Sequence, residues 1–331
     1  MEKKSSRVLL IGVVLSLLVL SLVSFSVAAK ELKVGIIQIV EHPALDAARQ
    51  GFIDVMSENG YVEGENIIYD YQNAQGDMST ANTIAQKFSI DKPDLILAIA
   101  TPTAQAVANV IKDIPILITA VTDPVDAGLV NSAEKPGTNV TGTTDMNPID
   151  KQLELVLKFK PEAQKVGIVY NAGESNSVVQ VKIAREVAKD LGIELIEATA
   201  DTSANVLQAA LSLANRVDAI YVPTDNTVVS AIESVVMVAE EFDLPMIVGE
   251  DNSVRSGGLA TVGIDYYRLG RQTAEMALKV IKGEAEPATM PIERQKEMKL
   301  VINAEAARAM GVTIPDELKE AADEILTGAE E

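Results

Sequence analysis

The chain of 331 residues has no cysteine, no tryptophan and a single histidine. Without cysteine there is no disulfide, no thiolate metal site, no cysteine nucleophile and no lipid-modified cysteine at a mature N-terminus. One histidine, His42, excludes multi-histidine metal centres and leaves a serine-type triad only one possible base. The common motifs of nucleotide binding and hydrolysis are missing as well. No G-x-G-x-x-G follows a strand-like run, and G-x-x-x-x-G-K-[ST], G-x-S-x-G and H-E-x-x-H do not occur. Basic charge is scarce: 28 Lys and Arg against 48 Asp and Glu give a net charge of −20. That balance argues against nucleic acid and anionic membranes as partners, because both require basic patches. These absences favour a protein without enzymatic chemistry, cofactor or metal.

The N-terminus stands apart from the rest. A basic start (Lys3, Lys4, Arg7), an apolar run over 8–23 and the small residues Val27, Ala28 and Ala29 form the pattern of a secretory signal peptide, cleaved after Ala29. The run is long, so an uncleaved anchor is the alternative. Removing residues 1–29 takes away three basic side chains and one acidic one, which leaves the remainder more acidic still. A periplasmic or extracellular, soluble protein is expected.

The body of the chain is organised around residues 94–125. Two apolar runs, 95–100 and 114–121, each stop at a small polar crest: Thr101-Pro102-Thr103 after the first, Thr122-Asp123-Pro124 after the second. Separated by a short helix over 104–112, they read as buried parallel strands of a βαβ unit. A right-handed crossover puts both crests on one edge of the sheet, the carboxyl edge where open α/β sheets bind ligands. A hydroxyl-rich, uncharged crest suits holding a small polar or anionic group.

Similar units flank this one. Strand-like runs at 32–40 and 66–72 precede it. A stretch over 130–148, rich in Gly, Pro, Thr and Asn, reads as an interdomain connection. A second series then has strands at 165–170, 193–198, 219–222, 244–249 and 258–263. The tail over 314–331 carries a helical pattern. Two α/β lobes facing each other across a cleft are expected.

Candidate ligand contacts are the crest residues. They are His42, Thr101, Thr103 and Thr122 in the first half, and Asn171, Ser175, Asn176, Asp225, Asn226, Glu250 and Asp265 in the second. Each has an ordinary alternative, since Asp, Thr and Asn also cap helices and close turns. Asp123, before a proline, is assigned that ordinary role. For Asp225, Glu250 and Asp265 ligand binding is ranked slightly ahead.

Several of these runs together, VGIIQIVEHPALDAARQGF, QNAQGD, AIATPTAQA, AVTDPVDAGLV, NVTGTTDM, YNAGESNS, PTDN and GIDYYRLGRQTAEMA, resemble the tryptophan- and tyrosine-binding type of extracytoplasmic solute-binding proteins of ABC importers. The resemblance extends from Leu32 to Ala309. It implies a type I periplasmic-binding-protein fold: two flavodoxin-like lobes with parallel sheets, joined by a hinge of three crossings near Gly142, near Gly263 and just before Lys299. The N-terminal lobe would comprise residues 30–142 and 264–298, the C-terminal lobe 143–263 and 299–331. Many Gram-positive relatives are lipoproteins, and this chain departs from them in having no lipobox cysteine.

The function implied is capture of an amino acid, aromatic or otherwise apolar, by a monomer that delivers it to a membrane ABC permease. In similar folds the zwitterion is split: the carboxylate would meet Thr101, Thr103 and Thr122, and the ammonium the second-lobe carboxylates Asp225 or Glu250, with Asp265 next. Rival readings are a binding protein for a sugar or nucleoside, a sensory ectodomain, or an enzyme. The mature chain is expected to begin at Lys30 in a soluble extracytoplasmic fraction. N-terminal sequencing that found residues 1–29 intact on membrane-bound protein would support the anchor instead.

Overall fold

The computed structural model describes residues 31–327. The expected signal segment, residues 1–29, lies outside them. Among the described residues no helix is long and apolar enough to cross a membrane.

The apolar runs become strands of two sheets. β1 (Leu32–Gln38), β2 (Ile67–Asn73), β3 (Leu95–Ile99), β4 (Ile116–Val121), β5 (Val140–Thr144) and the short β11 (Glu293–Arg294) form the first, in the order β11-β5-β4-β3-β1-β2, all parallel. β6 (Lys165–Tyr170), β7 (Glu194–Thr199), β8 (Ala219–Val222), β9 (Met246–Val248), β10 (Ala260–Gly263), β12 (Lys299–Asn303) and β13 (Glu324–Leu326) form the second, in the order β13-β12-β10-β9-β8-β6-β7. It is parallel except where β10 meets β12. Every residue of β3, β4 and β8 is buried. Helices cover both faces of such strands, which is why they read as continuous rather than alternating apolar runs.

Each sheet has its own core, and the fold is the two-lobed α/β architecture that the resemblance implied. The chain passes between the sheets three times: from β5 into α4 (Ile149–Phe159), from β10 into α10 (Tyr266–Ile281), and from β11 into β12. Helix α10 returns to the first lobe and packs along α1 (Pro43–Glu58). Both helices put glycine at the crossing point. A Cβ on Gly51 would lie 2.1 Å from the carbonyl oxygen of Tyr267, and one on Gly270 would lie 1.8 Å from that of Ala48. The backbones therefore touch directly, and this contact pins the returning segment onto the first sheet.

Four local expectations are corrected. The crest Thr101-Pro102-Thr103 is the first turn of helix α3 (Thr101–Val110), because a proline near the start gives up only a donor that has no helical partner anyway. The supposed interdomain stretch over 130–148 contains the fully buried strand β5. Its Gly142 has φ +140 and sits so close to β4 that a Cβ would lie 2.1 Å from the carbonyl oxygen of Ile118. The glycine that suggested a loop is thus a requirement of tight strand pairing. The segment over 228–242, whose sequence predicts a single helix between the third and fourth strand-like runs of the second series, is instead broken, with α7 (Asn226–Val229) ending inside it and α8 (Ile232–Glu241) following. The tail forms only the short helix α12 (Asp316–Ala321) before β13 pairs with β12, where Asp323 accepts from the Leu300 N–H at 2.8 Å; its last residues, 328–331, lie outside the described region.

The α1–α10 contact is open to a direct test. Gly270→Ala should destabilise by about 1–3 kcal/mol through overpacking. That corresponds to a fall in Tm of several degrees at roughly 2–4 °C per kcal/mol. An unchanged melting curve would show that the two helices separate without cost.

Candidate functional site

The carboxyl ends of β1 and β4 in one lobe face those of β6, β8 and β9 in the other. Between them lies a small cavity of about 20 Å³, room for about one water in this arrangement. From the first lobe and the crossings it is lined by His42, Leu45, Ala120, Thr122, Asp145 and Tyr266. From the second it is lined by Asn176, Thr224, Asp225, Asn226, Val229 and Glu250. No lysine or arginine is among the lining residues. Ala120 interrupts the register of β4 at φ +56, a left-handed conformation that a non-glycine residue adopts at a cost of roughly 1–3 kcal/mol and that is concentrated at binding sites.

Several polar atoms here are buried without a partner: both ring nitrogens of His42, Oδ1 of Asp145 and Oδ1 of Asn176. Burial pushes the His42 pKa down to about 4, with the nearby Asn226 side chain offsetting part of the shift, so the imidazole is neutral. Buried polar atoms in native proteins nearly always have partners. A cluster of exceptions around one cavity marks where a bound molecule would supply them.

The three lining carboxylates differ in how fully they are used. Asp225 is the N-cap of α7: Oδ1 accepts from the Val228 N–H at 2.8 Å, and Oδ2 accepts from the Asn171 N–H and the Ser177 hydroxyl, both at 2.6 Å. Glu250 is the N-cap of α9 (Asp251–Arg255), accepting from the Asn252 N–H at 2.6 Å, the Ser253 N–H at 2.8 Å and the Ser253 hydroxyl. Asp145 accepts from the Tyr266 hydroxyl on Oδ2, and the nearby Thr122 hydroxyl also favours its charged form. Burial raises the pKa of all three, for Asp225 with the charge of Glu174 adding to it and for Glu250 to about 7. Glu174, behind the cavity, ties the second-lobe crests together by accepting from Asn176, Asn226 and Thr227.

Of the residues nominated from sequence, the cavity gathers His42, Thr122, Asn176, Asp225, Asn226 and Glu250. Thr103 is not among the lining residues, and its hydroxyl donates back to the carbonyls of Ile99 at 2.6 Å and Ala100 at 2.9 Å. Thr101 is buried beside it, also outside the lining, with its hydroxyl unpartnered. Asn171 and Ser175 border a wider, open cleft further out, where the Ser175 hydroxyl reaches across the lobes to Oε1 of Gln105 at 3.5 Å. Asp265 caps α10 through the Arg268 N–H and pairs with Lys299 at 3.4 Å, away from the cavity. Asp123 closes its own turn, accepting from Val125 and Asp126. Among the lining residues that were not nominated are Asp145 and Tyr266, beside Thr224 and the apolar Ala44, Leu45, Ala120 and Val229. The signal for Asp145 was present, a β-branched run ending in an acidic residue, but Gly142 and Pro148 disguised the run as a loop.

Two parallel-sheet lobes that meet around an enclosed, partly unsatisfied cavity define a solute-binding protein of the type I periplasmic-binding-protein class. The chain belongs to the ABC transporter substrate binding protein family, whose model matches residues 33–326. A tyrosine-binding protein of Clostridioides difficile (strain R20291) is 48% identical over 281 residues, 85% of this chain and 81% of that protein. An ABC domain from Streptococcus pneumonia, solved in complex with L-Trp, is 35% identical, with a TM-score of 0.86 over 90% of this chain and 100% of its own. A ligand-free, open substrate binding protein with adhesive properties from Clostridium difficile is 47% identical, with a TM-score of 0.67 over 89% of this chain and 99% of its own. The family and these relatives are binding proteins rather than enzymes; the family acts outside the cytoplasm and works with membrane permeases.

The raised pKa of Glu250 has a measurable consequence. Its carboxyl ionises near 4.5 when unfolded and near 7 when folded, so the fold favours the protonated form. Stability is therefore full below about pH 4.5 and is lost as pH rises through 7, by on the order of 2–3 kcal/mol. Melting curves of the ligand-free parent and Glu250→Gln between pH 5 and 8 should show the parent losing ground to the variant over this range. A difference independent of pH would mean that Glu250 is ionised throughout.

Proposed function

We propose that this protein captures an amino acid with an aromatic or otherwise apolar side chain and delivers it to the membrane permease of an ABC importer. The observation that carries the reading is the cavity's imbalance: buried, unpartnered acceptors and carboxylates, no basic side chain, and an apolar wall of Ala44, Leu45 and Val229. An ammonium group supplies the missing positive charge and donors, and an apolar side chain suits the wall. A neutral sugar would bring hydroxyls but leave the carboxylates without a counter-ion, and burying an ionised carboxylate unpaired is costly.

The relatives support this choice through the tyrosine and L-Trp in their names. The overall shape supports it too. The chain matches the L-Trp complex better, at TM-score 0.86, than the open, ligand-free protein at 0.67, although the open one is the more similar in sequence. The weaker match to the open protein supports reading the arrangement described here as the closed one. The lobes hinge about the three crossings. Residues 1–29 act as the export signal, and the mature chain works as a monomer.

A thermal-shift screen of the amino acids tests the assignment. An aromatic or large apolar amino acid at about 100 times its Kd should add about 2.7 kcal/mol to stability. Stabilisation by sugars or nucleosides, with none by amino acids, would overturn it.

A further inference from the structure

We propose that the ligand's ammonium group is held between Oδ1 of Asp145 and Oδ1 of Asn176, one acceptor from each side of the cleft, with Tyr266 positioning Asp145. This deepens the amino-acid reading and rests on it.

The remaining carboxylates are accounted for by helix caps. Asp225 and Glu250 each accept three hydrogen bonds from their own lobe, so these bonds persist whether the lobes are open or closed. Asp145 is different. It follows β5 at the first crossing, its N–H still bonded to the carbonyl of Val121 at 3.2 Å, and its side chain is 3% exposed with Oδ1 unpartnered. The next helix, α4, begins only at Ile149, and its N-cap Pro148 offers no side-chain cap bond. Asp145 is therefore a strand-end carboxylate that no helix N-terminus consumes.

Its orientation is set from the second crossing. Tyr266, the first residue of α10, is buried and donates its hydroxyl to Oδ2. The opposite oxygen is left for the cavity. Across the cleft, the Asn176 side chain is held by its amide nitrogen, which donates to Oε2 of Glu174 at 3.1 Å, the Thr224 carbonyl at 3.1 Å and the Ser177 hydroxyl at 3.3 Å. With the nitrogen committed to those acceptors, the amide oxygen is the atom left over, buried and unpartnered. An ammonium has three N–H donors and suits one charged and one neutral acceptor. Because the acceptors belong to different lobes, the ammonium bond also favours closure: only the closed arrangement offers both.

Calorimetric titration of the mature chain with L-tyrosine and with 3-(4-hydroxyphenyl)propionate, which lacks only the amino group, tests this. The parent should bind L-tyrosine, and Asp145→Asn should weaken it at least about thirtyfold, the equivalent of about 2 kcal/mol. The same variant should bind the propionate no worse than the parent does. Tyr266→Phe should produce a smaller loss with the same selectivity for the amine, as expected of a positioning residue. Should Asp145→Asn not fold, Asp145→Ser takes its place. Equal weakening of both ligands, or unchanged affinity for L-tyrosine, would overturn the anchor while leaving the amino-acid reading intact. A parent that bound none of the amino acids would overturn both.

Discussion

Carboxyl groups buried in a cavity wall that holds no lysine or arginine are the condition on which this molecule's site depends. Asp145, Asp225 and Glu250 border a cavity that neither lysine nor arginine lines. Two of them answer their own burial with backbone N–H groups and hydroxyls at helix N-termini, where the helix dipole also favours a carboxylate. The third has no helix cap and relies on the hydroxyls of Tyr266 and Thr122. Closing the cleft on Asp145 without a ligand strips water from an acceptor and returns nothing. Closing it on an ammonium exchanges water for a charge-assisted contact. Differential stability of the closed state is thereby written into one unpaired oxygen, which is the thermodynamic requirement for ligand-driven closure.

The fold serves this condition through placement. Parallel strands put all their carboxyl ends on one edge, and three crossings turn two such edges toward each other. The crossings also carry functional residues: Asp145 lies on the first and Tyr266 just after the second. Their hydrogen bond joins two of the three connections, so the hinge and the charge sensor share atoms. The glycine contact between α1 and α10 fixes the helix that bears Tyr266 onto the first lobe, with His42 at the start of the other helix.

Much of this was legible in the chain. Runs such as Leu95–Ile99 and Ile116–Val121 announce buried parallel strands because no charged residue interrupts them, and the crests after them define the binding edge. Six of the nominated residues line the cavity. The misplacements have physical causes. Thr103 satisfies its hydroxyl on the turn behind it, a competition that short hydroxylated side chains commonly enter. Asp225 and Glu250 were nominated as charge partners because a cap and a ligand contact demand the same residue type at the same place. Only the positions of Val228, Ser253 and their neighbours reveal that the caps are filled. β5 was concealed because the close strand pairing that requires Gly142 also makes the run look like a loop.

The sequence by itself determined the class of fold, the edge that binds, the absence of the familiar catalytic motifs and the likeness to a family, since each depends on local pattern. The tertiary structure alone decided which carboxylate is free. Whether an oxygen is satisfied depends on donors that arrive from elsewhere in the chain: Tyr266 reaches Asp145 across 121 positions, and Ser177 reaches Asp225 across 48. Hydrogen-bond satisfaction is a sum over spatial neighbours, and the identity of those neighbours is fixed only when the lobes have folded and met.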